Sequence, residues 1–126
     1  MGHYPITSKE GLAFVEQVRK LAMRLPEVTE KVDHFGHQTF RVNDKPFVML
    51  GEGEDGTPKM SIKTLPTTQE VLLTRPHFTK TPYIGHHGWV SIAAKDISDW
   101  KEIESYLLEG YLRSAPKRLA KLVRPV

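Results

Sequence analysis

The sequence predicts an α+β fold, with an antiparallel sheet of about five to six strands and the N- and C-terminal helices packed on one face. Near both ends of the chain, apolar residues recur at steps of three and four, which is typical of amphipathic helices. Between the ends, alternating apolar and polar residues form segments grouped as hairpins, and this grouping favours antiparallel pairing. A chain of 126 residues has the usual size of one domain, so we expect a single domain over residues 1–126.

The first helix is expected to begin at Thr7 and to be ended by Pro26. Thr7 and Glu10 have the spacing of a capping box, in which the two side chains satisfy backbone N–H groups of the first turn. The face expected to be buried carries Leu12, Val15, Val18, Ala22 and Leu25.

Four strands are predicted between residues 29 and 63, where the apolar period changes to two. In chain order they contain Val32 with His34, residues 39–42, residues 47–50 and residues 59–63. Residues 43–45 are expected to form a tight turn, and residues 51–58 a long polar hairpin loop. The carboxylates of Glu52, Glu54 and Asp55 are therefore expected to be solvated, which argues against a role in acid–base catalysis.

The second half adds a short helix, a second hairpin and a C-terminal helix. Thr67 and Glu70 predict the short helix, which stops before Pro76. The second hairpin is predicted from strands at 78–84 and 89–93, with a turn at 85–88. Asp96 or Ser98 is expected to cap the next helix, and Gly110 to weaken its end. Its inner stripe is Trp100, Ile103, Leu107 and Tyr111, and one or two basic turns are expected after Ser114 and Pro116.

Composition excludes several classes of function. The chain has no cysteine, which excludes disulfides, thiolate metal sites and cysteine nucleophiles, and it favours a reducing cytoplasm. The N-terminal residues show no signal-peptide pattern, and no segment approaches the ~20 apolar residues of a transmembrane helix. We expect a cytoplasmic protein with no membrane partner, and a monomer is favoured.

No pattern of residues indicates a catalytic or metal centre. The pairs His34/His37 and His86/His87 have no nearby acids to complete a ligand set. No serine or threonine lies in a nucleophile motif. Gly51, Gly53 and Gly56 have the spacing of a dinucleotide fingerprint, but no helix follows them. We therefore expect no enzyme activity, no metal and no cofactor.

Basic charge is concentrated in the second half of the chain. Residues 57–95 contain five Lys or Arg against one acid, and residues 110–126 contain five more, Arg124 among them, and no acid. Phosphate groups are the expected partners of such charge. Trp89 could stack on a base or anchor its strand. The candidate nucleic-acid-binding residues are Lys59, Lys63, Lys80, His86, His87, Trp89, Lys95, Arg113, Lys117, Arg118 and Lys121.

Several segments resemble the MmcQ/YjbR family in their order along the chain. They are Leu25-Pro26-Glu27-Val28, Phe35-Gly36-His37-Gln38-Thr39-Phe40-Arg41-Val42, Ser61-Ile62-Lys63, Gly88-Trp89-Val90 and Ser105-Tyr106. The resemblance implies a fold similar to that of CyaY and frataxin. It also implies DNA binding by two hairpins that act as wings. The second hairpin suits such a wing, whereas acids at the tip of the first would repel phosphates.

The leading hypothesis is a DNA-binding or regulatory module that makes mainly phosphate-backbone contacts, with little sequence specificity. The alternative is a non-enzymatic domain that binds a protein or a small ligand on the sheet or in a pocket under the second hairpin. Phosphate contacts weaken steeply with salt, so binding that survives high salt would favour the alternative.

Overall fold

The computed structural model describes residues 4–123 and contains four α-helices and six strands. In chain order the elements are α1 Lys9–Ala22, β1 Thr29–Val32, β2 Gln38–Val42, β3 Lys45–Glu52, β4 Pro58–Lys63, α2 Pro66–Leu72, β5 Thr79–Lys80, β6 Trp89–Ala93, α3 Trp100–Ser114 and α4 Lys117–Val123. Short 3-10 turns lie at Gly85–His87 and Ala94–Asp96.

All strands pair antiparallel, in the spatial order β1-β2-β3-β4-β6-β5. The α+β class and the antiparallel sheet with helices at both ends of the chain are confirmed. Helices α1 and α3 pack on one face of the sheet. Cross-strand neighbours on that face include Val48, Ile62 and Val90, all of which are fully buried. Burial of this apolar layer is the main favourable term in folding.

The core lies between this face and the helices, and Tyr111 of α3 is at its centre. The Tyr111 ring meets the Phe47 ring edge-on, with centroids 5.8 Å apart, and its hydroxyl donates to the Pro26 carbonyl at 2.9 Å. The register of β2 and β3 shifts beside Phe47, because the chain bulges there. The bulge allows Phe47 and its neighbour Val48 both to be buried.

The capping prediction for α1 was wrong by one residue. Ser8 caps the helix, and its hydroxyl accepts a hydrogen bond from Gly11 N at 2.9 Å. The buried face contains Phe14, whereas Leu12, which was expected inside, is 57% exposed. The helix also stops at Ala22, ahead of Pro26.

The predicted loop at residues 51–58 is shorter than expected, because Gly51 and Glu52 belong to β3 and Pro58 to β4. Glu52 is buried rather than solvated. Its carboxylate accepts hydrogen bonds from Thr7 N at 3.3 Å and Ser8 N at 3.2 Å, next to the first turn of α1. Its charge therefore stabilises the start of a helix and does not lie at a hairpin tip.

The first strand of the second hairpin is much shorter than the strand predicted at residues 78–84. Strand β5 consists only of Thr79–Lys80. Pro82 has no N–H for the ladder, and Tyr83 adopts a positive φ of 68°, so the chain leaves the sheet there. His34 likewise lies in the turn after β1 rather than on a strand.

Asp99 caps α3, not Asp96 or Ser98, and Gly110 lies inside this helix instead of ending it. A Cβ on Gly110 would lie 2.6 Å from the Lys63 carbonyl oxygen, so the glycine allows α3 to approach β4 closely. The expected basic segment after Pro116 is present as α4.

Candidate functional site

The face of the sheet opposite α1 and α3 contains a cavity of about 550 Å³, which we call the open-face cleft. Its first wall is the turn between β1 and β2, and its second wall is the segment that follows β5. Residues of β3, β4 and β6 form the floor. The three parts are far apart in sequence, and the order of the strands brings them together.

Asp33 shapes the first wall. Its Oδ1 accepts hydrogen bonds from the backbone N–H of Phe35 and of His37, both at 2.9 Å. These bonds close the turn and direct the Phe35 ring outward, where it is 72% exposed. A large exposed aromatic ring at the mouth of a cavity is typical of a binding site.

The same aspartate orients the imidazole of His37. Its Oδ2 lies 3.1 Å from His37 Nδ1, and both side chains are largely buried at the edge of the cleft. Burial alone would raise the pKa of Asp33, but the hydrogen bonds from His37 and Phe35 outweigh it and leave the pKa below its ordinary value. Asp33 is therefore a carboxylate near neutral pH.

The second wall consists of Pro82, Tyr83 and Ile84, which follow β5. Ile84 N donates to the Pro82 carbonyl at 2.8 Å, which makes the segment a compact turn. Tyr83 is 78% exposed. Aromatic rings thus flank the cleft on both sides.

The floor combines small and polar side chains. Ser91 Oγ lies 2.9 Å from Ser61 Oγ and 2.9 Å from Thr81 Oγ1, so three hydroxyls form a row. Three hydroxyl groups carry three protons, and two bonds within the row use only two of them. One O–H donor and several lone pairs therefore remain for a ligand. Lys59 lies on the same strand as Ser61 and completes the polar lining.

The predicted basic residues do not form one continuous surface, although Lys63, His87 and Arg113 meet at one junction. Lys59 and Lys63 lie at opposite ends of β4, about 13 Å apart at ~3.3 Å per residue. Lys95 is close enough to Asp55 for its charge to contribute to the lowered pKa of that carboxyl, after the hydrogen bonds from Thr57. Lys80 packs its stem over Gly85, and the rings of His86 and His87 are tilted by 44° with centroids 3.9 Å apart.

Some predicted residues are already engaged within the protein. Arg118 forms two hydrogen bonds with Glu27, at 2.7 and 2.9 Å. Arg113 donates to the backbone carbonyls of Thr64 and His87, and Lys63 is close enough for the charge of Arg113 to lower its pKa, after burial. Trp89 is 5% exposed, so its ring has no open face for a base. Lys117 and Lys121 lie on the exposed side of α4, and Arg124 lies outside the described residues.

Of the cleft residues, Lys59 alone was among the binding candidates chosen from the sequence. His37 was considered as a metal ligand or an acid–base group, and Asp33, Phe35, Ser61, Tyr83 and Ser91 were not considered as site residues. One signal was available, since an aromatic residue inside a short polar turn, as Phe35 is, has no core to enter.

Within residues 4–123 no group of three or more His, Asp or Glu could hold a metal ion. In the same range no helix has both the length and the apolar character needed to cross a membrane.

These features define a small α+β domain with a ligand-sized cleft on the face of a six-stranded antiparallel sheet opposite α1 and α3. The sequence model of the YjbR family matches residues 23–113, so the chain belongs to this family, as the resemblance to MmcQ/YjbR proteins predicted. The similarity to CyaY stays a prediction.

Two solved structures of a protein from Pseudomonas syringae have a similar fold. The crystal structure has a TM-score of 0.65 at 15% identity, and the match covers 86% of this chain and 99% of the other. The solution NMR structure has a TM-score of 0.59 at 18% identity, with coverage of 81% and 90%. At such identities the likeness concerns the fold alone. No curated protein matches the sequence.

Proposed function

We propose that this protein is a non-enzymatic binding module and that the open-face cleft holds its ligand. The observation that carries the proposal is the cavity of about 550 Å³ on the face of the sheet that α1 and α3 leave uncovered. Its volume lies within the ~300–1,000 Å³ of small-molecule sites. The protein is expected to act as a monomer in a reducing cytoplasm.

The lining favours a ligand with a flat apolar body and a polar edge. Phe35 and Tyr83 offer ring faces at the two walls, and Met49 adds a polarisable thioether between them. The hydroxyl row can donate and accept hydrogen bonds along one edge of the ligand. Lys59 adds a positive charge, which favours an anionic substituent.

The pairing of His37 with Asp33 raises the question of catalysis, because an aspartate orients the histidine in many hydrolytic sites. A nucleophilic mechanism also needs a hydroxyl bonded to that histidine. Ser61, Ser91 and Thr81 bond to one another in a row, and the imidazole of His37 pairs with the Asp33 carboxylate. We therefore assign the Asp33–His37 pair to shaping the cleft wall.

Anilinonaphthalene sulfonate, a fluorescent aromatic anion, is a suitable probe of the cleft. We expect saturable binding to the native protein. Ser91→Leu fills the floor and should weaken binding at least ~10-fold, which corresponds to ~1.4 kcal/mol. Ser98→Leu makes the same substitution at an exposed position outside the cleft and should bind like the unmodified protein.

The rim provides a second variant in case Ser91→Leu does not fold. Phe35→Ala removes an exposed ring without opening the core. It should weaken binding of the probe severalfold. Equal affinity of the native protein, Ser91→Leu and Phe35→Ala would contradict the assignment of the cleft. Near-UV circular dichroism confirms that each variant is folded.

Weak binding of nucleic acid through the phosphate backbone is a second candidate function. The exposed lysines Lys80, Lys117 and Lys121 favour it, because none has an acidic partner among residues 4–123. We expect mobility shifts with duplex DNA at ~50 mM salt that disappear as salt is raised. No binding tighter than ~100 μM under those conditions would exclude this function.

A further inference from the structure

A group of basic side chains lies where the end of β4 meets the C-terminal end of α3. Lys63 Nζ lies 3.4 Å from Ser114 Oγ, and Arg113 Nη1 donates to the Thr64 carbonyl at 2.7 Å. The two basic residues thus reach across the same junction in opposite directions. We define the basic corner as Lys45, Lys63, Arg113 and Ser114. None of these residues lines the open-face cleft.

The Arg113 guanidinium is held in position before any ligand arrives. Besides the Thr64 carbonyl, Nη1 donates to the His87 carbonyl at 2.8 Å. Gly88 makes this geometry possible: its φ is +95°, and a Cβ there would lie 2.9 Å from Arg113 Nη1 and 2.1 Å from the Thr64 oxygen. An immobilised guanidinium loses little entropy when it binds an anion.

Most donors of this guanidinium are not used by the protein. Arginine has five N–H donors, and both bonds to carbonyls involve Nη1. Nη2 and Nε have no acceptor among the described residues. A planar pair of N–H donors matches two oxygens of a phosphate or carboxylate.

The electrostatics of the corner also favour an anion. Lys63 is half-buried, and its pKa is lowered first by burial and then by the positive charges of Arg113 and Lys45. In the described part of the chain, none of the three cations forms a salt bridge with a carboxylate. A partly desolvated cation beside like charges is costly, and a bound anion would offset that cost.

We propose that the basic corner binds a phosphate group, with Lys63, Lys45 and the unused N–H donors of Arg113 as its ligands and the Ser114 hydroxyl beside them. The phosphate can be free, carried by a small ester or part of a nucleic-acid backbone. The shared chemistry is a compact oxyanion with several acceptor oxygens. This proposal is independent of the ligand in the open-face cleft.

Titration of inorganic phosphate into ¹⁵N-labelled protein, at constant ionic strength with chloride as the exchanged anion, tests the proposal. We expect saturable shifts of the amides at 63–64, 87–88 and 113–114. Lys63→Gln should weaken phosphate binding at least ~10-fold, which corresponds to ~1.4 kcal/mol. Lys45→Gln changes an exposed residue, so the fold should remain intact, and binding should weaken severalfold.

Lys101→Gln is the matched control, because it removes the same charge from an exposed position at the opposite end of α3. It should bind phosphate like the unmodified protein. Equal weakening by all three substitutions would show a general charge effect and overturn the proposal. Shifts scattered over many lysines would overturn it as well.

A second titration identifies the source of the phosphate. A short DNA duplex without terminal phosphates is titrated into the native protein and into Lys63→Gln. Duplex binding that depends on Lys63 and competes with inorganic phosphate supports the corner, with a backbone as the source. Phosphate binding that depends on Lys63, without any duplex binding, supports it with a free or monoester phosphate. If Lys63→Gln changes the binding of neither ligand, the proposal is contradicted.

Discussion

The carboxylate of Glu52 lies against the first turn of α1, where Thr7 and Ser8 donate hydrogen bonds to it. Helix N-termini favour negative charge, because their first N–H groups have no partner inside the helix. Burial alone would raise the pKa of Glu52, but these hydrogen bonds outweigh burial and lower it. One side chain thus joins the end of β3 to the start of α1.

We predict that Glu52→Gln destabilises the protein by about 1–3 kcal/mol at pH 7, because an amide nitrogen cannot accept the bonds that a carboxylate oxygen accepts. Urea unfolding of the two proteins measures the difference. It should shrink as pH falls through the lowered pKa of Glu52, since the unmodified carboxyl is then protonated. Glu70→Gln, at an exposed position on α2, is the control, and an equally small effect of both would refute the role of Glu52.

Single residues also show why the sequence could not predict this arrangement. Glu52 stands among polar residues and glycines, so local composition predicted a solvated loop. Its partners, Thr7 and Ser8, are more than forty positions away, at separations of 45 and 44 residues. The capping role arises only when β3 ends beside α1.

Helix α3 packs on the sheet through Gly110. Its Cα faces the carbonyl of Lys63 on β4 and the backbone of Phe47 on β3. A glycine in a helix costs about 1 kcal/mol relative to alanine, so a benefit from close packing is needed to offset it. The spacing of Ile103, Leu107 and Tyr111 was sufficient to predict the buried stripe, and the close approach was not visible in it.

We predict that Gly110→Ala destabilises the protein by about 1–3 kcal/mol, although alanine favours helix. The added Cβ would lie 2.6 Å from the Lys63 oxygen, so helix and strand must separate. Thermal unfolding measures the change. Lys101→Ala, at an exposed position of the same helix, should have little effect, and a stabilised Gly110→Ala would show that the contact is loose.

The second wall of the cleft was also not predicted from the sequence. Pro82 was visible in the sequence, yet the strand was predicted to run through it to residue 84. In the structure β5 ends at Lys80, and the residues that leave the sheet become the second wall. Because proline has no N–H for the ladder, the predicted strand should have ended before Pro82.

At the scale of the whole molecule, several carboxylates tie distant segments together. The hydrogen bonds from Arg19 lower the pKa of Glu30, and those from Arg75 lower the pKa of Glu102, each from an ordinary value of 4.5. A folded-state pKa below the unfolded one means that the unfolded chain takes up protons first as pH falls. Stability from these groups is therefore complete above about pH 4.5 and is lost as pH falls through the folded pKa values.

We predict that the urea midpoint decreases between pH 5 and pH 3 and changes little between pH 6 and pH 8. The double variant Glu30→Gln/Glu102→Gln should have a lower midpoint at pH 7 and a weaker dependence on pH in the acid range. Denaturation curves at constant ionic strength provide the measurement. An unchanged acid dependence in the double variant would refute the contribution of these two groups.

The candidate site could be predicted only in part, because its residues are brought together by the whole sheet. Basic charge was visible along the chain, but Lys59 and Lys63 lie at opposite ends of β4 and Arg118 pairs with Glu27. The open-face cleft needs the strand order β3-β4-β6 to place Ser61 beside Ser91. No local pattern specifies that order.

Chemical-shift mapping shows directly whether the open-face cleft is the ligand site. ¹⁵N-labelled protein is titrated with anilinonaphthalene sulfonate while backbone amides are followed. We expect the largest shifts at residues 33–37, 59–61, 81, 83–84 and 91, and we expect Ser91→Leu to weaken the binding that causes them at least ~10-fold. Shifts centred instead on α2 or α4, and unchanged in Ser91→Leu, would contradict it.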